Sequence, residues 1–214
     1  MRIGKIVDRN VGLSGNVPTA RPVGQRIKGM GIGCLFLALF GGLWLGLTLA
    51  GAPLPVLVPA VALPTLILVV LAIGVLRDGV RRIATEPPPA PEQRLAGRRV
   101  GQTFGLIFGA EGVLIAVVAN LLARSHRQAY IPAAVGIIVG LHFLPLARVF
   151  HYSLYTKTGL AGIIACLITG WLARAHANAA GIATGGAMAL ILWITASIVL
   201  ADARRLLAAT RLRP

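Results

Sequence analysis

Six apolar stretches, each near the length a helix needs to cross a bilayer, limit most strongly what this chain can fold into. They cover residues 27–50, 54–76, 100–122, 130–150, 157–173 and 181–201. About 20 apolar residues, rising about 1.5 Å each as a helix, cover a hydrocarbon core about 30 Å thick. Lipid offers backbone groups no water, so each stretch is expected to close its own hydrogen bonds as a helix. Only 13% of the residues are charged and 57% are hydrophobic, where a soluble domain carries about 25% charged residues. The expected fold class is all-α: a polytopic integral membrane protein with six transmembrane helices in three hairpins.

The segments between these stretches organise the chain. Residues 1–26 read as a basic tail in coil, 27–76 as the first hairpin and 77–99 as a basic, Pro-rich loop with an extended centre. The second hairpin covers 100–150, the third 151–201, and 202–214 form a basic amphipathic exit along the membrane surface. The first apolar run is too long for the 7–15-residue core of a signal peptide, so it reads as an uncleaved helix. Eighteen of the 21 Lys and Arg fall at the two ends, in the 77–99 loop or beside the connection of helices 4 and 5; Arg124, Arg127 and Arg174 fall on the opposite side. This bias places both termini and the long loop in the cytoplasm. It also accounts for the net charge of +15 without nucleic acid as a partner. The expected partners are the lipid bilayer and either a second copy or other membrane helices.

The middle hairpin differs from the other two by carrying Glu111 and His142 near the centres of its arms. Ionisable residues at that depth are costly and rare. Each lies 15.5 positions from the midpoint of the turn, between His126 and Arg127, so antiparallel helices place both at one depth. If both face the shared interface they can pair or share a proton. Pro145 lacks the N–H that would bond the Leu141 carbonyl, which leaves an acceptor beside His142. Glu111, His142, Leu141 and Pro145 are thus the candidate proton- or substrate-binding residues. Gly101, Gly105 and Gly109 form a small-residue side of helix 3, suited to close helix packing. Gln102 and Asn120 project opposite Glu111. This pattern makes helix 3 the expected centre of the bundle or of an oligomer. Gly29/Gly33 and Gly42/Gly46 offer the same four-residue spacing in helix 1.

Enzyme signatures are missing from the sequence: no G-x-S-x-G, H-E-x-x-H, Walker A or paired acidic motif occurs. No catalytic residue, metal site or cofactor is expected. Cys34 and Cys166 read as small buried hydrophobes, and His126 and His176 as solvated turn residues.

The string GLHFLPLAR at 140–148, with AEG at 110–112 in the preceding helix, resembles small, uncharacterised bacterial inner-membrane proteins. The resemblance implies a six-helix fold in the inner membrane and carries no activity. Two function classes follow from the residues. The leading one is transport or permeation of a proton, cation or small polar solute through the Glu/His site. The alternative is a non-transporting scaffold or accessory subunit in which the pair is structural.

Overall fold

The structure, a computed structural model, describes residues 22–49 and 53–211. The expected coil of the N-terminal tail lies outside the described residues up to position 21, as does the end of the C-terminal tail from 212. The described residues are all-helical: α1 (Val23–Thr48), α2 (Leu54–Thr85), α3 (Pro91–Arg124), α4 (Ile131–Phe150), α5 (Ser153–Leu172) and α6 (Ala177–Arg211), with a 3-10 turn at Gln128–Tyr130. All six helices are long and apolar enough to cross a membrane. Large aliphatic side chains point outward from the bundle: Leu63, Leu66, Ile67 and Val70 of α2, and Leu106 of α3 at 75% exposure. Contiguous apolar surface of this kind suits lipid rather than water, and the chain is a multi-pass membrane protein.

Local chemistry sets the helix ends. Pro91 opens α3, at a position where the missing N–H has no helical partner to lose. Glu86 ends α2 in an extended conformation, as the Pro87 that follows it requires. His126 and His151 take left-handed backbone angles (φ 56° and 52°) just past α3 and α4. The next residue folds back in each case, Arg127 N–H to the Leu122 carbonyl at 2.8 Å and Tyr152 N–H to the Ala147 carbonyl at 3.0 Å. That bonding satisfies end carbonyls that a helix leaves open.

Two expectations at the basic end of the bundle are corrected here. The 77–99 segment is not a loop throughout: α2 continues through Thr85 and α3 begins at Pro91, and only its Pro-rich centre, 86–90, is non-helical. The exit after 201 is not a separate surface helix. It continues α6, and Ala203 and Leu207 are buried in one cluster with Ile27, Cys34, Ala72, Val75 and Val199. The apolar face of the tail therefore meets α1 rather than headgroups. Glu86 ties this end together by accepting a 2.8 Å hydrogen bond from Gly24 N–H in the first turn of α1.

The core lies among α1, α2 and α6, and α6 also packs on α4 and α5. Threonine pairs join α5 to α6: the hydroxyls of Thr158 and Thr195 are 2.8 Å apart, and Thr184 donates to Thr169 at 2.7 Å. Close approach at α1–α2 depends on Gly24, Gly31 and Gly79, not on the Gly29/Gly33 pair. A Cβ on Gly79 would meet the Lys28 backbone N at 2.6 Å, whereas one on Gly29 would meet nothing within 4 Å. Helix α3 is the outermost element. None of its residues is buried, and it packs on α4 and the 3-10 turn. Within the chain the bundle's centre is α6, which corrects the expectation that helix 3 is central.

Candidate functional site

The middle hairpin brings Glu111 and His142 together. Glu111 Oε2 lies 3.0 Å from His142 Nδ1, and the two side chains are only 10% and 9% exposed. Equal distance from the turn gives the equal depth, and the α3–α4 packing turns both residues inward. The carboxylate lies off the direction of the ring N–H, so Nδ1 makes a close polar contact without an in-line hydrogen bond. For a carboxylate the alternative to this contact is hydrocarbon, at a cost of several kcal/mol (about 3 on insertion scales).

Aromatic rings close around the pair. His142 meets Phe108 of α3 edge-on with ring centres 6.2 Å apart, and its chain neighbour Phe143 at 5.9 Å. Phe108 stacks on Phe104, and these two meet Phe40 and Phe36 of α1 at 6.2 Å each. Phe104 also meets Phe150, which leads through Tyr155 to Tyr152. All six phenylalanines of the chain join this network, which spans the gap between α1 and the α3–α4–α5 side of the bundle. Edge-to-face and offset contacts of this kind add about 0.5–1.5 kcal/mol per pair beyond area burial. The sequence carries a signal for it: Phe36/Phe40 and Phe104/Phe108 are i, i+4 pairs, each forming a ridge on one helix side.

The other candidates are placed as follows. Pro145 stands inside a continuous α4, and the Leu141 side chain is half exposed at 48%. Gly101, Gly105 and Gly109 are exposed, and a Cβ on any of them would meet nothing within 4 Å. They pack no helix within the chain, because α3 turns its Glu111 side to α4 and this side away. Gln102 is exposed on the same outward side, and Asn120 there donates to the Ala116 carbonyl of its own helix at 2.9 Å. Neither of two surface grooves, one on α3 around 116–124 and one between α3, α4 and α5, is lined by Glu111 or His142. Among the described residues no group of three His, Cys, Asp or Glu side chains could hold a metal ion.

A second polar cluster lies where α4 turns into α5. Tyr152 donates its hydroxyl to Asp202 Oδ2 at 2.6 Å, and Arg205 Nη1 stands 3.6 Å from the other carboxylate oxygen. Burial, reinforced by the bond to Asp202, pushes the Tyr152 phenol above its ordinary titration range.

Residues 102–202 match the model of a family described only as a family of unknown function, DUF7010. The matched stretch runs from the membrane part of α3 into α6 and takes in both Glu111 and His142. It is just under half of the chain and leaves out the first hairpin. No curated protein and no solved structure matches the chain.

Proposed function

We propose that the protein is a non-transporting scaffold or accessory subunit of a bacterial inner membrane, with both termini cytoplasmic, in which Glu111 and His142 pin α3 to the bundle. The observation that carries this reading is the closure of the pair: two side chains about one-tenth exposed, bounded by the rings of Phe108 and Phe143. Besides this pair, α3 is held by its packing along α4 and by the Phe104 and Phe108 rings against α1 and α4. The role of the pair is then orientation, which keeps one side of α3 on α4 and presents the other to lipid or to another membrane protein.

A second reading, permeation of a proton, cation or small polar solute, is favoured by one feature. His142 Nδ1 is buried without an in-line hydrogen-bond partner, a place beside Glu111 that a transferring proton or a small polar solute could use. The two readings separate by experiment. A double-mutant cycle on Glu111→Gln and His142→Ala, read as unfolding of the full chain in detergent, is expected to give a coupling of about 0.5–3 kcal/mol. In proteoliposomes the same variants leave proton and cation flux at the level of empty vesicles, as does the wild type. Wild-type flux that Glu111→Gln abolishes without a change in stability would replace the scaffold reading with the permeation one.

A further inference from the structure

We propose that the groove between α3, α4 and α5 seats an anionic phospholipid of the adjoining leaflet, with Arg127 and Arg174 on its phosphate. The groove has a volume of about 760 Å³ and opens at the end of the bundle that carries the 124–130 and 173–176 turns. Its wall is apolar, and small residues hollow it out: Ala133, Ala134 and Gly170 leave room beside Leu122, Ile137 and Leu167. The polar groups of its lining are Arg127, Arg174 and the hydroxyl and indole of Tyr130 and Trp171, together with the Cys166 thiol. An apolar trough with two guanidinium groups at the headgroup end is an amphiphile's shape, with an anion at one end and a hydrocarbon tail at the other.

Charge selects the occupant. The acidic residues of the chain are Asp8, Asp78, Glu86, Glu92, Glu111 and Asp202, and none of them lines this groove. Among the described residues, Arg127 and Arg174 form no ion pair. No described residue supplies their counter-anion. Both also stand against the charge bias that orients the helices: only three of 21 basic residues fall at this end, and two of them line this groove. They are therefore not topology signals. Guanidinium is the better donor for a phosphate, because it offers paired N–H groups in one plane. On the cytoplasmic side of membranes, basic pockets between transmembrane helices take anionic lipid headgroups on this basis, and these two arginines offer the same chemistry at the opposite end. Trp171, 65% exposed, and Tyr130 belong at the same headgroup level.

Trp171 makes the seat observable. The full chain is placed in phosphatidylcholine bilayers holding a few mole per cent of tail-brominated phosphatidylglycerol, and the fluorescence lost in the Trp171→Phe variant isolates this tryptophan from Trp44 and Trp193. Quenching of Trp171 is expected to favour brominated phosphatidylglycerol over brominated phosphatidylcholine by about tenfold. That preference should vanish in the Arg127→Gln/Arg174→Gln variant and persist in Arg124→Gln, whose arginine lines the other groove. If the double variant does not fold, the wild-type comparison and its loss at high salt decide alone. Equal quenching by the two lipids, or a preference untouched by the double substitution, overturns the proposal. Displacement of the lipid by millimolar inorganic phosphate would make a soluble anion the occupant instead and would overturn it as well.

Discussion

Replacing Gly140 by Ala and, separately, Gly109 by Ala should change stability in opposite directions, although both glycines lie in transmembrane helices of the same hairpin. At Gly140 the new methyl would fall 2.8 Å from the Gly159 carbonyl oxygen and 2.7 Å from Ile163 Cγ1, with the Ile163 backbone N at 3.1 Å. An ordinary contact is at least 3.4 Å, so the Gly159 oxygen must retreat by about 0.6 Å. That atom is backbone, and a rotamer change cannot relieve it; α5 itself has to move. It moves toward α6, where the Thr158 and Thr195 hydroxyls are already 2.8 Å apart. Overpacking of this sort costs about 1–3 kcal/mol, against about 1 kcal/mol gained when Ala replaces Gly in a helix. The expected net loss is up to about 2 kcal/mol, at most roughly a thirtyfold fall in the folding equilibrium constant. At Gly109 a Cβ meets nothing, so only the helix gain remains, and stability should rise by up to about 1 kcal/mol. Equilibrium unfolding of the full chain in mixed micelles, at one protein concentration, reads both. Equal destabilisation by the two substitutions would refute the argument, since it rests on the difference between a backbone neighbour and none.

The Tyr152–Asp202 contact predicts a pH dependence. A phenol whose folded-state titration is raised contributes stability that is complete below about pH 10 and is lost as pH rises through the higher folded value. Alkaline unfolding curves should therefore show a fall beginning near pH 10 that is weaker in Tyr152→Phe, which at neutral pH is less stable by about 1.5–3 kcal/mol through loss of a hydrogen bond to a charged acceptor. Replacing Glu86 by Gln keeps an oxygen for Gly24 N–H but removes the negative charge from the start of α1. A loss of about 0.3–1 kcal/mol and faster hydrogen exchange confined to the first turn of α1 are expected, and unchanged exchange there would contradict the capping role.

Much of this architecture can be read from the residues because the bilayer's demands are simple. Six runs of apolar residues give six helices, and prolines fix starts and stops at 53–55, 86–91 and 131–132. Equal spacing from the turn put Glu111 and His142 at one depth, and the structure brings them to 3.0 Å. What hydropathy does not carry is the facing of apolar side chains. In water an apolar face must be buried in protein, but in a membrane Leu106 at 75% exposure and Leu192 at 2% satisfy the same preference, one against lipid and one against helices. For this reason the outward position of α3 and the burial of the tail through Ala203 and Leu207 were not legible from composition or period.

Helix α3 shows which signals do fix orientation. Two sides of it compete: a glycine side at 101, 105 and 109 that permits close packing, and a Glu111 side that requires a partner. Permission and requirement differ in energy. Exposing glycines to lipid forfeits dispersion contacts at a few tenths of a kcal/mol each, whereas exposing a carboxylate at mid-membrane costs several. The requirement should win, and it does: Glu111 faces α4 while the glycines face outward. On the second and third hairpins Gly140 and Gly159 are close-packed, and Gly136 and Gly140 form a four-residue pair against α5. The threonine pairs hold α5 on α6, and the missing side chains let the α4 and α5 backbones meet. In a bilayer, small residues record where helices can approach, and ionisable or hydroxyl side chains determine where they must.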